Sequence, residues 1–243
     1  MQLNCDLGES DANWREGPES RVMPYVDLAN IACGYHAGEP ETLQRTLALA
    51  RKYNVAVGAH PSYPDRSGFG RRSMELQNAE IIAMLHYQIG ALEGMALSEG
   101  LTLSHMKPHG ALYHDMMTSR RVRGAVFEAV ASYHRVLPLI MQATARANEH
   151  REEAHSVGIT LWFEAFADRR YADDGSLLPR DKPGAVLDQE ATLDQTTQLC
   201  REGTVTTANG AALTIAADTL CLHGDNPEAV NAIAALHTLI HSR

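Results

Sequence analysis

Short apolar runs alternate with longer helix-patterned stretches along almost the whole chain, and this alternation limits the available folds more than any other feature. Strand-like runs are QLNC at 2–5, ANIAC at 29–33, VAVGA at 55–59, LTLSHM at 101–106, VLPLIM at 136–141, ITLWFEAF at 159–166 and DTLCLH at 218–223. Between them, ETLQRTLALARKY places Leu43, Leu47 and Ala50 at spacings of four and three, and AEIIAMLHYQIGALEGMA puts Ile81, Leu85, Ile89 and Leu92 on one face. RGAVFEAVASYH and PEAVNAIAALHTLI are two further helical patterns. Strands that alternate with helices predict a parallel β/α architecture. Roughly seven such units without a dividing linker favour a TIM-like barrel over an open sheet.

Bulk properties narrow the partners. At 243 residues and 44% hydrophobic composition the chain can bury one large core, and a single domain over 1–243 is expected. A net charge of −9 with dispersed basic residues argues against nucleic acid or an anionic membrane, leaving small molecules and proteins. The start, MQLNCDLGES, lacks a basic segment followed by an apolar one, and no apolar run approaches membrane-spanning length. Cys5, Cys33, Cys200 and Cys221 form no C-x-x-C pair. A reducing, cytoplasmic location fits these features.

Ionisable residues stand at the ends of most of the strand-like runs. Asp6 and Glu9 come after the first, His36 after the second and His60 after the third. Lys107 and His109 come after the fourth, Glu164, Asp168 and Arg169 mark the sixth, and His223 and Asp225 the last. Singly, Asp6 could cap a turn and any one histidine could be hydrogen-bonded scaffold. Repeated at so many strand ends, such groups predict a pocket, because burying them without a task is costly. HAGEPE at 36–41 and HGDNPE at 223–228 share one design, a histidine followed four residues later by Pro-Glu. Proline suits the first helical turn, and Asn226 is a natural N-cap.

The loop at 61–72 carries SGFGRRS, which is not a phosphate-binding P-loop, although Arg66, Arg71 and Arg72 could grip a carboxylate or phosphate. A solvated lid with surface arginines is the alternative. Asp6, His36 and His60 have the donor types of a divalent metal site, but no H-E-x-x-H accompanies them.

The blocks LNCDLGE, NIACGYHAG, GAHPSYPD, GFGRR, YQIGAL, KPHGALY, FADRRY, LLPR and HGDNPEAV, in that order from residue 3 to 230, resemble the LamB/YcsF family. Departures are mild. Tyr35 stands where phenylalanine is usual and Glu39 where aspartate is, EAFADRRY varies EVFADRAY, and the segment after Glu9 lacks the usual small and aromatic pattern. The resemblance implies a seven-stranded β/α barrel related to sugar deacetylases. It also implies ATP-dependent opening of 5-oxoproline to L-glutamate in a 5-oxoprolinase assembled with subunits B and C, ATP being shared with those partners.

Under that implication, Lys107 and Arg72 supply positive charge. Asp6, Glu164 or His109 activates water, and His60 or His223 protonates the leaving nitrogen. Glu9, His36, Arg72, Asp168, Arg169 and Asp225 are assigned to substrate binding. Two other readings stay open at this point. One is a metal-dependent deacetylase of N-acyl sugars that uses Asp6, His36 and His60 as ligands. The other is a non-catalytic subunit that only holds substrate.

Overall fold

A computed structural model describes residues 1–10, 18–224 and 226–242. Seven parallel strands close into a barrel: β1 (Gln2–Leu7), β2 (Leu28–Ala32), β3 (Ala56–His60), β4 (Leu103–Met106), β5 (Leu139–Gln142), β6 (Leu161–Phe166) and, after the antiparallel pair β7 (Thr204–Thr206) and β8 (Ala212–Thr214), β9 (Thr219–His223). β9 pairs with both β6 and β1, which closes the ring. The strands sit inside a helical layer: α1 (Pro18–Val22), α2 (Pro40–Tyr53), α3 (Asn78–Ser98), α4 (Gly110–Thr118), α5 (Arg120–Ser132), α6 (Ala147–Ser156), α7 (Gln189–Glu202) and α8 (Pro227–His241). Leu28–Ala32 is buried throughout, as both faces of a barrel strand must be.

The expected helices form where their caps predict. α2 begins at Pro40 and ends on Asn54 in the left-handed conformation, burying Leu43, Leu47 and Ala50. Pro227 opens α8, where the Asn226 side chain accepts the Glu228 amide. The strands are offset from the sequence pattern. β1 runs on through Asp6 and Leu7, so Asp6 belongs to the strand, and β5 starts only at Leu139, behind Pro138. Hydropathy does not predict α6 or α7. α6 buries only His150 and Ala154, and α7 faces inward with Thr192, Gln195, Thr196 and Leu199. Gln195 is satisfied in its buried position by donating to the carbonyls of Phe166, Ala167 and Arg169, which pins the loop after β6.

Candidate active site

The barrel interior carries a polar ladder. On β1, Asn4 donates to Glu164 Oε2 (3.3 Å) and Thr219 Oγ1 (2.9 Å). On β2, Asn30 donates to Asn4 Oδ1 and Asp6 Oδ1, both at 2.8 Å. His105 on β4 bonds Asn30 Oδ1 through Nε2 at 2.8 Å, and burial together with nearby Lys107 lowers its pKa to about 3. Its ring occupies the space a side chain on the facing strand would need. A Cβ on Gly58 would lie 2.2 Å from the imidazole, so β3 must carry glycine there.

Above the ladder sits Lys107, 2% exposed. Its Nζ lies 3.0 Å from Asp6 Oδ1, 3.1 Å from Glu164 Oε2 and 3.1 Å from Cys221 Sγ. Burial alone would favour the neutral amine, but Asp6, Cys221 and Glu164 outweigh it and raise the lysine well above its ordinary pKa. Burial likewise disfavours the charged form of Asp6, while His60 and Lys107 hold its carboxyl well below the usual carboxylate range. Lys107 is therefore a fixed ammonium inside the barrel, reaching from the end of β4 to β1, β6 and β9.

Beside it is a cluster of imidazoles around Glu9. Glu9 Oε1 lies 2.8 Å from His36 Nε2, 3.1 Å from His109 Nδ1 and 3.7 Å from His60 Nε2. His60 Nδ1 donates to the Lys107 carbonyl (2.7 Å), and His109 Nε2 donates to the Phe69 carbonyl (2.9 Å). The His36 ring stacks on His109 at 3.7 Å, and burial lowers its pKa to about 4 against the pull of Glu9. Across the mouth, His223 Nδ1 donates to Asp168 Oδ1 at 2.9 Å. Burial opposes charge on Asp168, yet His223 and Asn226 keep its carboxyl below the ordinary range.

A cavity of about 930 Å³ opens over these groups, within the range of small-molecule and cofactor sites. Asp6, Glu9, His60, Lys107, His109, Arg169 and His223 line it. Glu164 lies beneath Lys107, His36 behind Glu9, and Asp168 behind His223; none of these three is in the lining. Arg72 departs from its expected place. It is largely exposed and pairs with Asp65 in its own loop, while the preceding residue, Arg71, faces the cavity. Arg66 pairs with Glu39 outside the cavity. Asp225 lies outside the described residues.

The metal trio expected from sequence is regrouped. His36 and His60 gather with Glu9 and His109, their ligand atoms within 4.8 Å of one another, whereas Asp6 gathers with Cys221 and His223. β1 carries Asp6 into the Lys107 pair, which leaves Glu9, past the strand end, to meet the imidazoles. Sequence reasoning also misses Asn4, Asn30 and His105, which stand inside runs that otherwise read as apolar. The signal for them is alternation: Asn4 and Asp6 are two apart on one strand and share its inner face.

Known proteins match the chain along nearly its full length. The LamB/YcsF family model matches residues 1–243. A protein of Chromohalobacter salexigens, named as the A subunit of 5-oxoprolinase, is 50% identical over 235 residues, covering 96% of this chain and 94% of its own. One from Vibrio cholerae with the same name is 47% identical, covering 99% of this chain and 97% of its own. A crystal structure of a lactam utilization protein from Thermus thermophilus superposes with a TM-score of 0.89 at 38% identity, covering 100% of this chain and 96% of that one.

Proposed function

The chain belongs to the LamB/YcsF family, and from that premise we propose that it is the A subunit of a 5-oxoprolinase, opening the lactam of 5-oxoproline to L-glutamate at the barrel mouth. The observation that carries catalysis in this chain is the buried Lys107 ammonium, set between Asp6 and Glu164 on the floor of a cavity that the Glu9 cluster and His223 also reach. The relatives' name supports the substrate, and no helix of the described residues is long and apolar enough to cross a membrane.

A lactam is a resonance-stabilised amide, so ATP is consumed to activate it, in an assembly with subunits B and C. Transfer of the γ-phosphoryl group to the lactam oxygen releases ADP. Water then adds to the ring carbon, and the C–N bond breaks. The nitrogen departs as an amine carrying a proton from His223, whose imidazole Asp168 orients through Nδ1. The resulting acyl phosphate takes up a second water and yields phosphate and the glutamate side-chain carboxylate. Lys107 stabilises negative charge on the oxygens throughout, without reorganising. The Glu9 cluster is assigned to activating the attacking water, and Arg71 on the cavity wall suits an anionic substrate, while the Arg169 guanidinium is held by the Ala185 and Leu178 carbonyls.

The test mixes the purified chain with subunits B and C, 5-oxoproline and ATP, and follows glutamate and ADP. Glutamate forms with the intact chain and falls at least about 10²-fold with Lys107→Met or His223→Ala. No glutamate with all partners present overturns the reading, and undiminished turnover in both variants assigns the chemistry to another subunit.

A further inference from the structure

We propose that Glu9, His60 and His109 form a divalent transition-metal site open to the barrel cavity, with His36 holding Glu9 from behind. Backbone carbonyls only accept hydrogen bonds. The bonds from His60 Nδ1 to the Lys107 carbonyl and from His109 Nε2 to the Phe69 carbonyl therefore place a proton on each of those nitrogens. The nitrogens left over, His60 Nε2 and His109 Nδ1, face each other at 3.0 Å. Glu9 Oε1 completes the triangle at 3.1 and 3.7 Å. One proton can serve only one edge of this triangle, whereas one cation ligates all three corners, with Glu9 Oε1 also taking the His36 Nε2 bond at 2.8 Å.

The spacing fits coordination. Metal–ligand bonds of about 2.0–2.1 Å at angles between octahedral and tetrahedral separate ligand atoms by roughly 2.9–3.4 Å, and two of the three edges fall inside that range. The outer contacts fit as well. Histidine ligands typically donate their second N–H to a carbonyl or carboxylate, as both do here. His36 Nε2 bonds Glu9 Oε1 and fixes its direction. The surrounding loop is built to hold this geometry. Phe69, at φ 55°, is a non-glycine residue in left-handed backbone, and its carbonyl receives His109.

Glu9, His60 and His109 line the cavity and His36 does not. The site thus has three protein ligands and an open position toward solvent and substrate, the arrangement of a catalytic rather than a structural centre. Two imidazoles and one carboxylate select ions such as Zn²⁺ or Co²⁺ over Mg²⁺ or Ca²⁺. The second grouping of donors, Asp6, Cys221 and His223, is no rival, because the Lys107 ammonium already stands 3.0 Å from Asp6 and 3.1 Å from Cys221. The site rests on ligand geometry and not on the identity of the substrate.

The test uses the full chain, stripped with a chelator and desalted, and titrated with Co²⁺ and with Zn²⁺ by calorimetry and visible absorption. One ion binds per chain, and the Co²⁺ form shows d–d bands of a four- or five-coordinate centre. His109→Ala and Glu9→Gln each weaken binding by at least about 100-fold. His114→Ala, an exposed histidine outside the triad, leaves it unchanged. Circular dichroism checks that each variant is folded, and the wild-type titration needs no variant. Absence of stoichiometric uptake by the wild type overturns the proposal, as does uptake that survives both triad substitutions. Because nothing in the test depends on 5-oxoproline, ATP or partner subunits, its failure leaves the lactam reading standing, and the converse holds.

Discussion

Lys107 is the residue on which the interior depends most, because it neutralises two carboxylates that have little other cationic company. Asp6 also has His60 within 3.4 Å, but Glu164 is fully buried and otherwise accepts from Asn4. Removing the ammonium leaves a buried charge uncompensated, a loss of roughly 3–5 kcal/mol. For a chain of this size, where about 1 kcal/mol shifts the midpoint by 2–4 °C, Lys107→Met should lower Tm by about 6–20 °C. Adding Glu164→Gln should recover part of that fall, because the stranded charge is then gone, and should not restore turnover. Calorimetry of wild type, both single variants and the double variant checks this. A double variant no more stable than Lys107→Met alone would show that the pair is not the source of the loss. Lys107 and Asp6 stand out in the sequence because each ends or follows an apolar run. Glu164 stands out in the same way, but Asn4 and Cys221 do not, and nothing local to these three says that one ammonium will lie among them, since those neighbours are set by barrel closure.

At the scale of elements, the loop between β3 and α3 converts backbone geometry into side-chain aim. Gly70 sits at φ +65°, and a Cβ there would stand 2.9 Å from His109 Cδ2 and 3.0 Å from His36 Cβ. Its carbonyl also accepts the Ala111 amide at 2.8 Å, tying the loop to the first turn of α4. Gly70→Ala therefore meets an unfavourable backbone region and pushes on two imidazoles of the Glu9 cluster. The expected outcome is a loss of about 1–3 kcal/mol with turnover reduced beyond what Tm explains. Parallel melting and activity curves measure both, and a variant with native activity would show that the loop does not aim His109. The glycines of this loop are visible in SGFGRRS, but what they approach is not, because it lies after β4 and after β2. Helices divide along the same line. α2 and α8 are legible from an apolar stripe and a proline at the start. α7 is not, since three of the four residues on its buried face are threonine or glutamine, with Gln195 and Thr196 held by hydrogen bonds.

For the whole molecule, closure is what turns separated strand ends into a site, and closure is uneven. β1 pairs with β2 through four register positions and with β9 through five, whereas β4 meets β5 through one, Met106 with Leu139. Pro138, just before β5, has no N–H to give, though its carbonyl accepts the Met106 amide at 2.8 Å. The β4–β5 seam is thus the place where the ring has least backbone holding it. Lys107 directly follows β4 and anchors that strand across the interior to β1, β6 and β9, so the polar network compensates for the thin seam. Native-state hydrogen exchange reads this directly. Segments 103–106 and 139–142 should exchange before 2–7 and 28–32, and in Lys107→Met the protection of 103–106 should fall by more than that of 28–32. Equal protection around the ring, or a variant that loosens all strands alike, would mean that closure is carried by the helical layer and that the buried ion network serves chemistry alone.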